Sequence, residues 1–182
     1  MYNKKIKLIG NRIYLRQLKL SDCNSEYVSW LNNKKNNKYL EARHTKNTIQ
    51  KIKLALSKTI KSNNAYIFAI CLKKNLHIGN IKLDEINYDH KYAYLGYLIG
   101  NQKYINKGYA AEAVALILNF SFNKLKLRNI LSSTYKNNIA SQKVLKKNRF
   151  KLCGKFQNLL LDVNNLPVTA LNYILSSEDY FS

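Results

Sequence analysis

Proline and glycine are scarce in this sequence of 182 residues, which contains one proline and six glycines. No stretch rich in glycine, serine or proline divides the chain, and no internal repeat is visible, so we predict a single domain over residues 1–182. The longest purely apolar run, Ala65–Leu72, is far shorter than the roughly 20 residues of a membrane-spanning helix. Met1–Gly10 leads into no apolar core of the length that a signal peptide needs. We therefore expect a soluble protein without a membrane partner.

Cysteine is also rare. Cys23, Cys71 and Cys153 lie far apart, form no CxxC pair and are odd in number. This pattern argues against a disulfide framework, and the three scattered histidines add no zinc-binding spacing. We expect buried or half-buried thiols in the reducing cytoplasm, and no metal site.

Acidic residues are few, because 10 Asp and Glu stand against 31 Lys and Arg, for a formal charge of +21. A field of that sign attracts polyanions and phosphorylated ligands. The lysines are dispersed and asparagine is abundant, so a compositional bias toward Lys and Asn explains the charge as well as an anionic partner does. No helix-turn-helix, zinc-finger or RNP-like motif is present, which argues against a nucleic-acid-binding module without excluding one.

Hydrophobic residues make up 46% of the chain, enough to bury a sizeable core. Their spacing predicts a strand at 13–18, a helix capped by Ser21 or Asp22, a helix from about Thr48, strands at 65–72, 77–86 and 91–99, a helix over 108–125, a strand at 130–135, a helix at 138–148, and paired strands at 150–157 and 168–175. This order predicts a mixed α/β fold with a central meander and a later βαβ crossover.

The segment Tyr104–Ala110 follows a predicted strand and leads directly into the most apolar helix. Successive backbone N–H groups at a helix start form a concave anion site, and the helix dipole adds partial positive charge. Gly108 permits close approach of a ligand to the backbone, and Lys103 and Lys107 add charge. One glycine before a helix is also an ordinary turn, and neither a P-loop nor a GxGxxG fingerprint is present. The local pattern alone leaves a turn and a phosphate site open.

Two segments carry a family resemblance. Ile105–Ala110, followed by Glu112-Ala113, resembles the acyl-CoA-binding motif R/Q-x-x-G-x-G/A of the GNAT acetyltransferases. Asn138–Ser141, followed after eight residues by Phe150, resembles the N-x-A-S…G-F segment with which that family closes.

A third segment near the start narrows the resemblance. Ile13–Leu18, with Asp22 and Trp30-Leu31-Asn32, is similar to the subgroup of ribosomal-protein N-terminal acetyltransferases and amino-sugar-nucleotide acetyltransferases. The three segments stand in the family's order and cover nearly the whole chain. The resemblance implies a GNAT fold, with a largely antiparallel twisted sheet of about seven strands flanked by about four helices.

The resemblance also implies acetyl-CoA as acyl donor and direct attack of a primary amine on the thioester. A backbone N–H where Leu95–Ile99 separates from the next strand would polarise the carbonyl, as an oxyanion hole does. The positions that the resemblance assigns to acetyl-CoA are Leu98, Ile99, Ile105, Asn106, Lys107, Gly108, Tyr109, Ala110, Asn138 and Ser141.

Several residues depart from the family pattern. Ile105 stands where the family usually has Arg or Gln, and Asn106 and Arg149 stand where glycines are frequent. Leu145 replaces the tyrosine that protonates the departing thiolate in many relatives, and Tyr94 replaces a glutamate base. The resemblance therefore assigns the cofactor site more firmly than the acid–base pair.

The attacking amine must be neutral, and an ordinary lysine-type amine has a pKa near about 10.4, so a base is useful. His44 is the first candidate because imidazole titrates near neutrality, with Glu41, Asp84 and Glu85 as alternatives. Ser141 is the first candidate for the acid, since the resemblance places it beside the CoA sulfur, and Tyr135 is the alternative. Each of these residues also has an ordinary structural explanation. The acceptor-pocket candidates are Trp30, Tyr39, Glu41, Arg43 and Asp84.

The acceptor that fits best is a small anionic amine such as an amino-sugar nucleotide. A protein N-terminus, as in the ribosomal-protein enzymes, is the alternative, although such targets are themselves basic. An acyl-CoA-binding or nucleic-acid-binding module without catalysis is the alternative of another class. The sequence leaves monomer and homodimer open.

Overall fold

The computed structural model describes residues 6–182, so Met1–Lys5, part of the segment considered above as a leader, lie outside the described residues. The strands are β1 (Lys7–Ile9), β2 (Ile13–Gln17), β3 (Tyr66–Leu72), β4 (His77–Asn87), β5 (Tyr92–Ile99), β6 (Asn129–Tyr135), β7 (Lys151–Leu161) and β8 (Pro167–Ser176). The helices are α1 (Ser25–Asn32), α2 (Lys34–Asn37), α3 (Ile49–Lys61), α4 (Tyr109–Asn119), α5 (Ile139–Lys147) and α6 (Ser177–Phe181). A π-helical turn, Phe120–Lys124, continues α4.

The strands form one sheet in the order β1-β2-β3-β4-β5-β6-β8-β7. Neighbouring strands are antiparallel except β5 and β6, which are parallel. The predicted mixed α/β fold with a largely antiparallel sheet is confirmed. The described residues form eight strands and six helices, more than the roughly seven strands and four helices expected. The sequence patterns did not indicate β1, α2 and α6, which have only three to five residues each.

The two faces of the sheet are covered by different helices. On one face, α4 and α5 bury Val114, Ile117 and Leu145 completely in the larger core. On the opposite face, α1 and α3 cover the first half of the sheet through Trp30 and Leu56. The predicted amphipathic faces of these helices thus bury against the sheet as their periodicity requires.

The start of the first long helix differs from the prediction of a Ser21 or Asp22 cap. Asn24 is the cap, and its Oδ1 accepts a hydrogen bond from the N–H of Tyr27 at 3.0 Å. Asp22 instead binds both Nη atoms of Arg16 at 2.7 and 2.8 Å, and its Oδ2 accepts from the backbone N–H of Lys19 at 2.7 Å, at the start of the short 3-10 turn Leu20–Asp22. The predicted start of the next helix at about Thr48 is confirmed, since Thr48 is the N-cap of α3 and its Oγ1 accepts from the N–H of Lys51 at 3.2 Å.

The parallel pairing of β5 with β6 is short. It runs from Tyr92 opposite Asn129 to Tyr94 opposite Leu131, whereas β5 stays paired with β4 as far as Ile99 opposite Gly79. The two parallel strands therefore separate after Tyr94. This opening in the sheet lies where α5 follows β6, and it positions the site described below.

The expectations drawn from the composition can now be compared with the structure. Within residues 6–182, no helix is long and apolar enough to cross a membrane, and no three side chains of the metal-binding types come together. Cys23 and Cys71 are buried, but Cys153 is exposed on β7, so the expectation of a buried or half-buried thiol was wrong there, because β7 is an edge strand with little cover.

Candidate functional site

The last residues of β5 line one side of the opening between β5 and β6. Leu98 and Ile99 are half-buried and keep their pairing with β4. Toward β6, the ladder is replaced by one side-chain contact, in which the hydroxyl of Ser132 donates to the carbonyl oxygen of Leu95 at 3.0 Å. The backbone edge beyond Leu95 is thus free to pair with an extended ligand, as a strand edge does.

The start of α4 lies directly after this strand. Gly108 is its N-cap, with a left-handed φ of 80°. Among the residues that the structure describes, none caps this helix start with a side chain. The N–H groups of the first turn, from Tyr109 and Ala110 onward, are available to an anion, and the helix dipole favours negative charge there.

Two of the residues that depart from the family pattern have backbone conformations that glycine favours. Asn106 has φ of 59° and Arg149 has φ of 66°. Asn106 and Lys107 are exposed beside the helix start, and Ile105 is half-buried. Asparagine tolerates left-handed backbone better than most residues, so the turn before α4 survives without glycine at 106.

An ion pair fixes the helix start to the beginning of β2. The Nε of Arg12 lies 2.9 Å from Oε2 of Glu112, and the backbone N–H of Arg12 donates to Oε1 of Glu112 at 2.7 Å. Arg12 also donates to the carbonyl oxygen of Lys107 at 3.0 Å. No local sequence pattern indicates the contact between Arg12 and Glu112, because the two residues are 100 positions apart.

Ser141 and Asn138 lie at the start of α5, on the other side of the opening. The side chain of Asn138 caps the helix by accepting from the N–H of Ser141 at 3.2 Å. The hydroxyl of Tyr97, from β5, lies 2.9 Å from Oγ of Ser141 and 3.2 Å from its carbonyl oxygen. Burial raises the pKa of Tyr97 to about 12, with the contact to Ser141 acting in the opposite direction. Tyr97 was absent from the sequence candidates, since strand alternation alone marks it as a core residue.

A second group of residues lies around Tyr135, the last residue of β6. Nη1 of Arg43 donates to the hydroxyl of Tyr135 at 2.7 Å and to the carbonyl oxygen of Lys38 at 3.2 Å. Nη2 of Arg43 also donates to the carbonyl oxygen of Leu161, in the β7–β8 hairpin. Tyr39 packs its ring 5.3 Å from that of Tyr135. The structure thus brings together three sequence candidates, Tyr39, Arg43 and Tyr135, which we call the arginine cluster.

Asp84 lines a cleft of about 420 Å³ between α1, α3 and strands β3 and β4. Thr45 and Asn47 form part of its rim, and Lys82 lies beside Asp84 with Nζ 2.5 Å from Oδ2. Glu85 is exposed in a bulge with φ of 49°. Of the two neighbouring acids, Asp84 is therefore the one that faces the cleft.

The remaining candidates are His44, Glu41 and Trp30. Nε2 of His44 is 3.8 Å from Oε2 of Glu41, and their side chains are 49% and 82% exposed. Trp30 is buried at 5% exposure and packs edge-on against His77, with Gly100 so close that an added Cβ would overlap the indole. Trp30 thus packs against the loop after β5 and belongs to the core. This is the ordinary structural explanation for Trp30, in place of a role in the acceptor pocket.

The residues present fit a CoA thioester. A free strand edge after Leu95 suits the pantetheine amides, and the uncapped helix start at Gly108 suits the pyrophosphate. Ser141 and Tyr97 bring hydroxyl groups to the opening. Leu145 is fully buried and brings none.

Comparison with known proteins agrees with this geometry. The family model described as an acetyltransferase (GNAT) domain matches residues 12–151. An uncharacterized N-acetyltransferase of Bacillus subtilis (strain 168), YnaD, is 33% identical over 101 residues, which are 55% of this chain. That match spans 58% of the length of YnaD.

Solved structures share the fold. The spermidine N-acetyltransferase of Vibrio cholerae in complex with CoA and spermine superposes with a TM-score of 0.85 at 20% identity, over 95% of this chain and 100% of that one. A GNAT-family acetyltransferase of Bacillus anthracis gives 0.77 at 22% identity, over 95% and 99%. With the family model matching most of its length, the chain belongs to the GNAT acetyltransferase family.

Proposed function

We propose that the protein transfers an acetyl group from acetyl-CoA to the primary amine of a small anionic molecule, with an amino-sugar nucleotide as the best-fitting acceptor. The observation that carries the donor half is the separation of β5 from β6 after Tyr94, next to the uncapped start of α4. Bound acetyl-CoA supplies the thioester carbonyl that the amine attacks.

On the donor side, the backbone does most of the binding in this proposal. N–H groups from Gly108 to Ala110 hold the pyrophosphate, with Lys107 exposed beside them. The free edge of β5 at Leu98 and Ile99 holds the pantetheine arm and directs an N–H at the carbonyl oxygen. Most of these contacts come from amides, so replacement of the family's Arg or Gln by Ile105 leaves them in place.

The arginine cluster supports an anionic acceptor. Among residues 6–182, Arg43 forms no ion pair with a carboxylate. Its three hydrogen-bond acceptors, Tyr135, Lys38 and Leu161, are neutral oxygens. A half-buried guanidinium without a counter-charge at the acceptor side favours a phosphate or carboxylate there. We assign Arg43 and Tyr39 to acceptor binding.

For the chemistry, we assign the base to His44 and the acid to Ser141. His44 lies on the segment whose residues Thr45 and Asn47 form the rim of the cleft, and its Nε2 is 3.8 Å from Oε2 of Glu41. Asp84 competes for the role of base, but its carboxylate is already engaged by the ammonium group of Lys82. Tyr135 is the alternative acid, and its hydroxyl is engaged by Arg43.

The relatives of known structure raise polyamines as another acceptor class, because one of them is a spermidine N-acetyltransferase bound to spermine. The charges at the acceptor side disfavour a polycation. Lys51 and Lys82 line the cleft together with a single carboxylate, Asp84, and the whole chain carries +21. A polyamine would meet net repulsion there.

Calorimetric titration with acetyl-CoA, followed by thiol-release assays on four amines, tests the proposal. The amines are an amino-sugar nucleotide, the same amino sugar without phosphates, spermidine, and a peptide with a free N-terminus. We expect micromolar binding of acetyl-CoA and the highest kcat/KM with the nucleotide. Preference for spermidine or for the peptide would replace the acceptor. Absence of acetyl-CoA binding by folded protein would overturn the proposal and favour polyanion binding.

A further inference from the structure

Among residues 6–182, the hydroxyl of Tyr97 has two hydrogen-bond partners, and both belong to Ser141. The phenolic oxygen lies 2.9 Å from Oγ and 3.2 Å from the carbonyl oxygen of that residue. The carbonyl oxygen can only accept from Tyr97, whereas either hydroxyl can be the donor in the shorter contact to Oγ. When Tyr97 donates to Oγ, the serine proton is directed elsewhere.

The serine itself is held in place from the other side. Its backbone N–H donates to Oδ1 of Asn138, the cap of α5, at 3.2 Å. Ser141 is therefore fixed in the first turn of the helix, at the edge of the opening between β5 and β6. In the arrangement in which Tyr97 donates to Oγ, the proton of the Ser141 hydroxyl is available to a group that enters this opening.

One helical turn further along α5, Leu145 is completely buried in the larger core. The family resemblance leads one to expect a hydroxyl at that position, but leucine has none, and its side chain is part of the larger core. A departing thiolate therefore needs a proton from another group, and the Tyr97–Ser141 pair is adjacent. Because burial keeps the phenol protonated well above neutral pH, the pair holds two transferable protons.

We propose that Tyr97 is a positioning residue for acid catalysis, which orients the Ser141 hydroxyl toward the leaving sulfur and replaces its proton. The inference rests on the proposed acetyl transfer. The amine nitrogen forms the new C–N bond at the carbonyl carbon and gives one proton to the base, His44. As the C–S bond breaks, Ser141 passes its proton to the thiolate and takes the phenolic proton of Tyr97. His44 then releases its proton to solvent and solvent returns one to Tyr97, so protons balance over the turnover.

The first test compares Tyr97→Phe with wild type. We expect kcat with acetyl-CoA to fall roughly 10- to 100-fold, at or below the low end of general acid catalysis because Tyr97 acts through Ser141, while the dissociation constant of acetyl-CoA stays within about twofold. Tyr173→Phe is the control, because Tyr173 is another tyrosine of the sheet and is buried in the core on β8, whereas Tyr97 is half-buried. Unchanged kcat in Tyr97→Phe would overturn the proposal. An inactive wild type would instead overturn the acetyl transfer on which it rests.

A second measurement separates proton supply from a structural role. An acetyl thioester of an electron-poor aromatic thiol leaves without protonation, because leaving is faster when the thiol pKa is low. With that donor, we expect Tyr97→Phe and Ser141→Ala to retain at least half of the wild-type rate. A defect as large as the one with acetyl-CoA would show that the hydroxyl only maintains the shape of the site, and would overturn the proposal.

Discussion

The donor side and the acceptor side that we propose for the candidate site are built in different ways. The donor side consists mostly of backbone from one continuous segment, the end of β5 and the turn into α4 at Gly108. The acceptor side consists of side chains from distant segments, since Arg43 reaches Tyr135 and Leu161 across 92 and 118 residues of sequence. A backbone site tolerates changes of residue type, whereas a side-chain site sets which molecule is accepted.

The largest effect is expected from charge at the helix start. Gly108→Asp places a carboxylate where the proposal puts the pyrophosphate, and we expect acetyl-CoA affinity to fall roughly 100-fold, or about 2.7 kcal/mol. Gly108→Asn is the control, because it has the same shape and the same strain at φ of 80° without the charge. Calorimetry should show a loss of less than about tenfold for Gly108→Asn. Equal losses would mean that backbone strain, and not charge, governs this position.

A smaller effect should appear on the acceptor side alone. Arg43→Gln removes the unpaired cation, so kcat/KM for an anionic amine should fall roughly 10- to 30-fold, as expected for one charge-assisted hydrogen bond. The dissociation constant of acetyl-CoA should not change. Arg43→Lys keeps the charge but loses the planar fork, and we expect an intermediate value.

A neutral amine supplies the control for that prediction. Without an anionic group to bind, it should react with Arg43→Gln within about threefold of the wild-type rate. If the variant loses activity equally on the neutral and the anionic amine, Arg43 only braces the β7–β8 hairpin through Leu161. The acceptor side would then contain no anion-binding residue of the kind proposed.

The same contrast explains what the sequence could predict. The turn at Gly108 was predictable because its parts are adjacent in sequence and the backbone chemistry of a helix start is general. Most strands and long helices were predictable from apolar periodicity, as for α3 with its cap Thr48. The three-residue strand β1 was missed because so short a segment has no period to detect.

The contacts across the sheet were not predictable in the same way. The alternation of β5 indicates only that Tyr97 is a core residue, and its hydroxyl comes within 2.9 Å of Oγ of Ser141 only in the folded structure. Similarly, Glu112 stands in a recognisable motif, but its partner Arg12 lies 100 residues earlier. The ion pair between Asp22 and Arg16 forms only when β2 and the turn after it are folded together, so the sequence does not indicate it. Asp22 was therefore expected to cap a helix.

The Arg12–Glu112 pair gives a prediction on stability. Partial burial acts to raise the pKa of Glu112, but hydrogen bonds from Arg12 and Ile13 outweigh it and hold the pKa below its ordinary value. A lowered pKa means that the carboxylate stabilises the fold above its unfolded pKa, and that this stability is lost as pH falls through the folded pKa. Glu112→Gln should therefore lower the free energy of unfolding by about 1 kcal/mol at pH 7.

Urea unfolding at several pH values checks this prediction. The gap between wild type and Glu112→Gln should begin to shrink below about pH 4.3, the ordinary pKa of glutamate. Glu26→Gln is the matched control, since Glu26 also lies in the first turn of a helix, α1, but is exposed. A gap that stays constant down to pH 3 would show that the glutamate charge does not hold the start of α4.

The smallest effect is expected at the base. His44 is about half exposed, so water can replace it in part, and His44→Gln should lower kcat/KM only about fivefold at pH 7, below the usual range for general base catalysis. The defect should shrink toward pH 9, because more of the amine is then neutral without help. Asp84→Asn, measured beside it, decides between the two bases. If Asp84→Asn has the larger, pH-dependent defect, the amine enters through the cleft beside Lys82 and His44 lies outside its path.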